Sequence, residues 1–518
     1  MKNKWFQLGV ITAVLAGMAP MAHALQPGGH AVGHVLMISV DGLHAQDLRL
    51  FIRAHPRSAL ATLARDGVVY GGAHTVAPAD SFPGLLALVT GGTPAVTGVY
   101  YDVTYDRRLS PPGSRCRRVG TPVVFDETVD QPGAAPGAPT IDPARLPRDP
   151  RRGCAPVYPH DYLRVNTLFE VVRAAGGYTA WIDKHPVYEI VDGPSGKGVN
   201  DLYTPEIGAN FAGPVGQGRG AIMASLSHTE RYDDGKVDAL LHEIGGFRHD
   251  GRVPAPVPTL FGLNLQAANV GEKLGGYQDA AGHPSPTLEA ALVHCDRQIG
   301  RIVAALRARR LLGSTLVIVT AKHGNGPIDP HAVRHVDRRL LERVVARAAQ
   351  GEVAQITADQ VALIWLRDAA KVKAVVAALR AHRKALGVRR VLFGRGLLRR
   401  LGLRRSDSRA PDMIVIPRDG VIYARAGDPK KAEHGGFSAD DTSVALLVSN
   451  PHLARRDVEV RERVSTTQVA PTILASLGLS THLLRAVALQ GTRVLPGEPW
   501  ADLAGVRLAA DRPAARNP

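Results

Sequence analysis

The stretch HVLMISVDG, residues 34–42, is a short apolar run that ends in an acidic residue and a glycine. Its length and apolar character are typical of a strand that is buried on both faces, and the Asp-Gly pair after it is typical of a turn. Such a strand would deliver the carboxylate of Asp41 at its C-terminal end.

Further apolar runs follow at residues 259–264, 316–320 and 444–448, and helical patterns such as residues 288–306 lie between them. Strands that alternate with helices predict an α/β fold with a mostly parallel sheet and helices on both faces. Residues 329–431 have a strand, a helix and a basic linker of their own, which predicts a cap inserted into the main domain.

The N-terminus resembles a secretory signal peptide. Lys2 and Lys4 precede an apolar run at 8–15, and Ala22-His-Ala24 provides small residues at the spacing of a cleavage site. We therefore predict a signal peptide at 1–24 and a periplasmic or secreted hydrolase domain at 25–518. An uncleaved N-terminal anchor stays open as the alternative, and no later segment is long and apolar enough for a membrane span.

The formal charge of +16 raises the question of nucleic-acid binding. Much of it lies in arginine-rich stretches at 107–118, 301–310 and 389–405, where aromatic residues do not interleave to form a stacking platform. We predict no specific nucleic-acid recognition, and the positive field favours anionic substrates. Oligomeric state stays open.

The three cysteines are too few for a disulfide scaffold. Cys116 and Cys154 flank a stretch rich in Pro, Gly and Arg, and they can form a bridge in an oxidising compartment. Cys295 lies in a helical pattern and is predicted to be buried.

Polar residues that can do chemistry come at or just after predicted strands, and His434 comes directly before one. Ligands bind at the C-terminal ends of the strands in such sheets, and carboxylates with imidazoles suit a divalent cation such as zinc. Each residue alone has an ordinary interpretation as a turn, a helix N-cap or a surface histidine. Their common position favours a site, and the set is Asp41, Ser81, Asp279, His283, His323 and His434.

The motifs around these residues, taken in their order along the chain, resemble those of the alkaline phosphatase superfamily, and most closely those of its type I phosphodiesterase and nucleotide pyrophosphatase branch. The resemblance runs from about residue 34 to about residue 477. It depends on SVDG at 39–42, DSFPGLLALVTGGTP at 80–94, DAAGH at 279–283, KHG at 322–324 and EHG at 433–435.

The resemblance implies a three-layer α/β sandwich, with Ser81 as a nucleophile that becomes phosphorylated. It also implies one or two divalent metal ions, zinc by family analogy. Asp41, Ser81 and His323 match the ligands of one ion, while Asp279, His283 and His434 match those of the other.

Two positions depart from the family pattern. Lys322 stands where the family has an aspartate, and a protonated lysine has no lone pair for a metal but can hold a phosphoryl oxygen. Gly84 stands where the diesterase branch has an asparagine that contacts phosphate. A compensating ligand is open among Asp80, Asp183 and Asp201, and the Asp183-Lys184-His185 cluster either lines the pocket or forms a surface turn.

The sequence thus predicts an exported, metal-dependent hydrolase that cleaves phosphate diesters, pyrophosphates or monoesters in a small-molecule substrate, with Ser81 and Lys322 as catalytic residues. A sulfate-ester or phosphonate hydrolase of the same fold is one alternative. A degenerate member that binds an anion or a metal without turnover is the other, and Lys322 is the feature that supports it.

Overall fold

The computed structural model describes residues 32–131, 141–208, 222–425 and 427–500. The predicted signal peptide at 1–24 lies outside these residues.

The strands of the described residues, in chain order, are β1 (His34–Val40), β2 (Gly67–His74), β3 (Val103–Asp106), β4 (Thr121–Val124), β5 (Arg148–Asp149), β6 (Ala155–Pro156), β7 (Ala180–Ile182), β8 (Asp201–Tyr203), β9 (Leu260–Leu265), β10 (Thr315–Thr320), β11 (Arg334–Asp337), β12 (Val353–Ala358), β13 (Ala362–Leu366), β14 (Val388–Phe393), β15 (Met413–Pro417), β16 (Val421–Ala424), β17 (Leu446–Ser449) and β18 (Val458–Ser465).

The helices of the same residues are α1 (Ala45–Ala54), α2 (Ala59–Arg65), α3 (Ser81–Thr90), α4 (Pro94–Thr97), α5 (Pro159–Tyr162), α6 (Leu168–Ala174), α7 (Leu226–Ile244), α8 (Ala267–Leu274), α9 (Pro286–Ala308), α10 (Arg338–Ala349), α11 (Val372–Ala381), α12 (Gly394–Arg400), α13 (Ala439–Thr442), α14 (Val469–Ser476) and α15 (Arg485–Gln490).

A central eight-stranded sheet has the strand order β18-β2-β17-β10-β1-β9-β7-β8. Strand β1 lies between β10 and β9 and is parallel to both. Strand β17 is antiparallel to its neighbours β10 and β2. The predicted mostly parallel sheet is confirmed, and the C-terminal ends of β1, β9 and β10 meet at one edge.

Strand β1 shows why the sheet needs helices on both faces. Successive side chains of a strand point to opposite faces. Val35 and Met37 belong to a core that includes residues of α3, α6 and α14. Leu36 and Ile38 belong to a second core that includes residues of α2, α8 and α9. The three-layer arrangement is confirmed, and it follows from the unbroken apolar run of β1.

Residues 329–431 contain a second, antiparallel sheet of order β12-β13-β15-β14. One face packs on α10 and α11 and has its own apolar core. The other face forms a cluster with Tyr100, Tyr101 and Tyr105 of the main domain. The interpretation of this segment as a cap inserted into the main domain stays a prediction.

A disulfide joins Cys116 and Cys154, with the sulfur atoms 2.08 Å apart. Cys295 is a buried free thiol in α9. Both cysteine predictions are confirmed. Among the described helices, none combines the length and the apolar character needed to cross a membrane.

Candidate active site

The carboxylate of Asp41 lies at the C-terminal end of β1 and is fully buried. Its Oδ1 accepts a hydrogen bond from Asn264 Nδ2 at 2.7 Å, and its Oδ2 accepts one from Gln266 Nε2 at 2.6 Å. The same Oδ2 lies 3.0 Å from the ammonium of Lys184. Asn264 belongs to β9 and Gln266 follows it, so the two parallel neighbours β1 and β9 build one polar cluster.

Ser81 is the first residue of α3 and is only 5% exposed. Its Oγ lies 3.3 Å from His323 Nε2 and 3.4 Å from Lys184 Nζ. His323 Nε2 is also 3.9 Å from Asp41 Oδ2. The structure therefore brings together Asp41, Ser81 and His323, the first predicted group.

His323 is placed to accept a proton from Ser81. Its Nδ1 is 3.2 Å from the carbonyl oxygen of Gly324, so a neutral ring with the hydrogen on Nδ1 leaves Nε2 as an acceptor. Burial, together with the neighbouring His434, holds the pKa of His323 well below its usual value. The imidazole is thus neutral at neutral pH.

Lys322 is fully buried directly after β10. Its Nζ lies 3.0 Å from both carboxylate oxygens of Asp183 and 4.0 Å from Asp41 Oδ1. It also lies 4.2 Å from the ring centroid of Tyr188, a cation–π contact. Burial lowers the pKa of Lys322, and the nearby carboxylates of Asp183 and Asp41 oppose that shift.

Two lysines therefore face two aspartates inside the protein. Burial alone would raise the pKa of Asp41, but the charges of Lys322 and Lys184 outweigh it and hold that pKa well below its usual range. Burial would likewise lower the pKa of Lys184, but Asp41 and Asp183 raise it instead. Asp41 is a carboxylate and Lys184 an ammonium, a paired state that a buried site requires.

His434 lies on the other side of His323, and the two ring centroids are 3.9 Å apart. Its Nδ1 is 3.3 Å from Oδ1 of Asp80, a buried carboxylate to which no described residue donates a hydrogen bond. Next to His434, Glu433 Oε1 is 2.6 Å from Lys273 Nζ. Burial would raise the pKa of Glu433, but Lys273 and other nearby cations hold it well below its usual value.

The structure does not bring Asp279 and His283 to His434. They lie in a loop between α8 and α9, where His283 Nδ1 is 2.7 Å from Asp279 Oδ2, and both side chains are about half exposed. Within the described ranges, two clusters have ligand atoms close enough together for a metal, and neither contains a predicted ligand. These clusters are His44, Asp47 and Glu272, and Glu127, His185 and Glu206.

The open candidates for a compensating ligand separate in space. Asp183 lies in the site, on Lys322. Asp80 is beside His434. Asp201 is held elsewhere, by His249 Nδ1 at 2.7 Å and by Arg248 Nε at 3.3 Å.

The residues at the Asp41–Ser81 position do not fit a divalent ion. The Lys184 ammonium already lies among the oxygen atoms of Asp41, Ser81 and Gln266, at 3.0, 3.4 and 3.4 Å. A second ammonium, that of Lys322, is 4.0 Å from the same carboxylate. Cations at these distances oppose a further positive charge.

Four site residues were missed or left open by the sequence interpretation: Asn264, Gln266, Lys184 and Lys273. Lys184 follows the buried strand β7, and its cluster with Asp183 and His185 was left open between a pocket lining and a surface turn. Asn269 and Lys273 are four residues apart on α8, the helix directly after β9. Asp279 and His283 have the same spacing. The sequence interpretation placed that pair next to His434, whereas in the structure Lys273 reaches the neighbouring Glu433.

The comparisons with known proteins agree with the fold. The family model described as type I phosphodiesterase / nucleotide pyrophosphatase matches residues 35–438, so the chain belongs to this family. The resemblance to the alkaline phosphatase superfamily is thereby confirmed. No curated protein matches the chain in sequence.

Among solved structures, murine ectonucleotide pyrophosphatase / phosphodiesterase 5 is similar at 16% identity and a TM-score of 0.58, covering 91% of this chain and 99% of its own. The human protein of the same name has 16% identity and a TM-score of 0.56, with the same coverage. The alkaline phosphatase PafA has 13% identity and a TM-score of 0.59, covering 87% of this chain and 96% of its own. At such identities these likenesses show the fold alone.

Proposed function

We propose that the protein hydrolyses phosphate diesters, pyrophosphates or monoesters by nucleophilic attack of Ser81. The observation that carries the proposal is the position of Ser81 Oγ between the Nε2 of a neutral His323 and the ammonium of Lys184. A hydroxyl next to a base and a fixed positive charge is the arrangement of an activated nucleophile.

In the first step the Ser81 Oγ–H proton passes to His323 Nε2 while Oγ attacks phosphorus. A bond forms between Oγ and phosphorus, the ester bond between phosphorus and the leaving oxygen breaks, and the imidazolium returns its proton to that oxygen. Water then attacks the phosphorus on Ser81 while His323 takes a proton from the water, the bond between phosphorus and Oγ breaks, and the imidazolium returns the proton to Oγ. A monoester substrate thus releases phosphate, and a diester or pyrophosphate releases a phosphate monoester. Lys184 and Lys322 offset the negative charge of the phosphoryl oxygens.

Zinc, which the family resemblance implies, takes no part in these steps, because the residues at the Asp41–Ser81 position do not fit a divalent ion. The predicted catalytic role of Lys322 is retained as charge stabilisation, since its ammonium lies 4.0 Å from Asp41 and is held by Asp183.

Ser81→Ala tests the proposal. Loss of the nucleophile should reduce hydrolysis of bis-p-nitrophenyl phosphate by about a thousandfold or more, because no neighbouring hydroxyl replaces it. Acid-quenched wild-type protein should carry a p-nitrophenyl phosphoryl group on Ser81 in peptide mass spectra, because one p-nitrophenolate leaves in the first step. The exposed Ser195 provides the control, and Ser195→Ala should keep full activity. Activity of Ser81→Ala within a few-fold of wild type would disprove the assignment.

A second candidate function is binding of an anionic ligand without turnover. It is favoured by the ammonium groups of Lys184 and Lys273 beside Asp41 and Glu433, since buried cations attract an anion whether or not the anion is cleaved. Calorimetric binding of inorganic phosphate without hydrolysis of any phosphate, sulfate or phosphonate ester would support it. Turnover of a sulfate or phosphonate ester in preference to phosphate esters would support the alternative of a sulfate-ester or phosphonate hydrolase.

We also propose that the protein is exported. The Cys116–Cys154 disulfide agrees with an oxidising compartment. The intact mass of protein recovered from the cell exterior should correspond to a chain that starts near Leu25, and an uncleaved cytoplasmic chain would refute export.

A further inference from the structure

We propose that this centre needs no bound divalent ion, because buried lysine ammonium groups occupy the places next to its carboxylates. The inference rests on the proposed function only for the role of the lysines in the reaction. The exclusion of metal is a separate property that can be measured without substrate.

Lys184 is the central element of this arrangement. Its Nζ lies within hydrogen-bonding distance of Asp41 Oδ2, Ser81 Oγ and Gln266 Oε1, at 3.0, 3.4 and 3.4 Å. An ammonium has three hydrogens to donate, and three oxygens surround this one. It therefore lies where a cation shared by the carboxylate and the nucleophile would bind.

Lys322 closes the same site from the β10 side. It is fully buried and lies 3.0 Å from both oxygens of Asp183, so the carboxylate nearest to the missing aspartate ligand is already paired with a cation. The two lysines, Lys184 and Lys322, and the two aspartates, Asp41 and Asp183, form a group with no net charge. Such a group lacks the excess negative charge that draws a divalent ion into a protein.

The neighbouring position at His434 is organised in the same way. Lys273 lies on α8 and places its Nζ 2.6 Å from Glu433 Oε1, and Lys430 Nζ is 2.5 Å from Glu433 Oε2. The side chains of Lys273 and Glu433 are 18% and 4% exposed. Among the described residues, the carboxylates near His434 that form no ion pair with a lysine are Asp80 and Asp359, and Asp359 already accepts a hydrogen bond from Tyr101 OH. Asp279 and His283 lie in the exposed loop.

The lysines thus replace the metal's charge but not its Lewis acidity. Lys184 donates a hydrogen bond to Ser81 Oγ, or to a phosphoryl oxygen once substrate is bound. His323 takes the proton of the Ser81 hydroxyl, a role that a metal ion fills in other enzymes by lowering the pKa of the attacking hydroxyl. Lys184 is therefore assigned as a further catalytic residue of the proposed reaction.

The experiment is zinc binding to the untagged full-length chain, measured by elemental analysis after dialysis against zinc and by the shift in melting temperature with zinc or a chelator. We expect less than one bound ion per chain at the centre and no shift with the chelator. Weak zinc binding at the exposed loop is identified by His283→Ala, which should remove it without changing the melting temperature.

Three outcomes would overturn the proposal. Zinc that is lost in Asp41→Asn would place an ion at the first position, and zinc lost in both His283→Ala and His434→Ala would place one at the second. The double variant Lys184→Ser/Lys322→Asp frees space and adds a carboxylate, so it should gain zinc and a zinc-dependent rise in melting temperature. A folded double variant that binds no more zinc than wild type would show that the lysines do not exclude the ion.

Failure of this inference is distinct from failure of the proposed function. A wild-type chain that binds no metal and has no activity would support the metal-free centre and contradict the proposed hydrolase function. An active chain that loses both its zinc and its activity with the chelator would support the hydrolase function and contradict the metal-free centre.

Discussion

At the scale of single residues, the centre depends on charges that compensate each other inside the protein. Lys184 is 8% exposed and Asp41 is fully buried, with Nζ and Oδ2 3.0 Å apart. Removing one partner of a buried pair leaves the other as an uncompensated charge, which costs about 3–5 kcal/mol. Such residues therefore serve stability as well as any chemistry they perform.

Lys184→Met keeps the length of the side chain and removes its charge. We expect the free energy of unfolding to fall by about 3–5 kcal/mol, measured by urea denaturation at neutral pH. Asp41→Asn in the same background should recover part of the loss, because it removes the stranded charge. Lys197 is exposed, and Lys197→Met should change stability by less than about 0.5 kcal/mol. A loss no larger than that of the control would contradict the pairing.

The sequence could predict the residues that follow a recognisable strand. Asp41 after β1 and His323 after β10 were found in this way, and Ser81 was found from the segment that opens α3. The pairing of Lys322 with Asp183 joins residues 139 positions apart and depends on which strands are neighbours. The exposed position of Asp279 and His283 could not be predicted for the same reason, since spacing along the chain does not show whether a loop turns toward the sheet edge or toward solvent.

At the scale of elements, apolar runs predicted the neighbouring central strands β1, β9, β10 and β17 to within two residues, because a strand buried on both faces must be apolar throughout. The run at 444–448 gave no sign that β17 is antiparallel, since direction is set by the connections and not by the composition of a strand.

Gln266 lies at the N-terminus of α8, and a side chain of α7 fixes this end of the helix. Asp233 of α7 accepts hydrogen bonds from the backbone N–H of Gln266 and of Ala267, both at 2.8 Å from its Oδ2. Its Oδ1 lies 3.1 Å from Lys236 Nζ. A buried carboxylate thus satisfies N–H groups that the first turn of a helix leaves unpaired.

Asp233→Ala should lower the free energy of unfolding by about 2–4 kcal/mol, since it strands two N–H groups and the buried ammonium of Lys236. Chemical denaturation measures the loss. Asp238 lies on the same helix and pairs with Arg301 at the surface, where its side chain is 56% exposed. Asp238→Ala should cost less than about 1 kcal/mol, and equal losses in the two variants would refute the capping role.

At the scale of the whole molecule, the segment 329–431 is tied to the main domain by an ion pair as well as by apolar contacts. Arg164 binds both oxygens of Asp407, with Nη2 2.7 Å from Oδ1. Tyr100 OH donates to Asp407 Oδ2 at 3.1 Å. Burial would raise the pKa of Asp407, but the Arg164 hydrogen bonds and charge outweigh it and lower that pKa to about 2.

This lowered pKa predicts how the link responds to acid. A carboxyl whose pKa is lower in the folded protein stabilises it above the unfolded pKa of about 3.9, and loses that contribution as the pH falls toward the folded value. Because Arg164 is one-third exposed, we expect only about 1–2 kcal/mol at neutral pH. Asp407→Asn should be less stable than wild type by that amount at neutral pH, and the difference should shrink as the pH falls from about 4 toward 2.

Urea denaturation of both proteins across this pH range measures the difference directly, because every other titrating carboxyl is shared and cancels. The surface pair of Arg389 and Asp419 provides the control, since the Asp419 side chain is 72% exposed. Asp419→Asn should show almost no difference at any pH, as screened surface pairs do. A difference between wild type and Asp407→Asn that stays constant down to about pH 2.5 would show that the pair does not titrate as the lowered pKa requires.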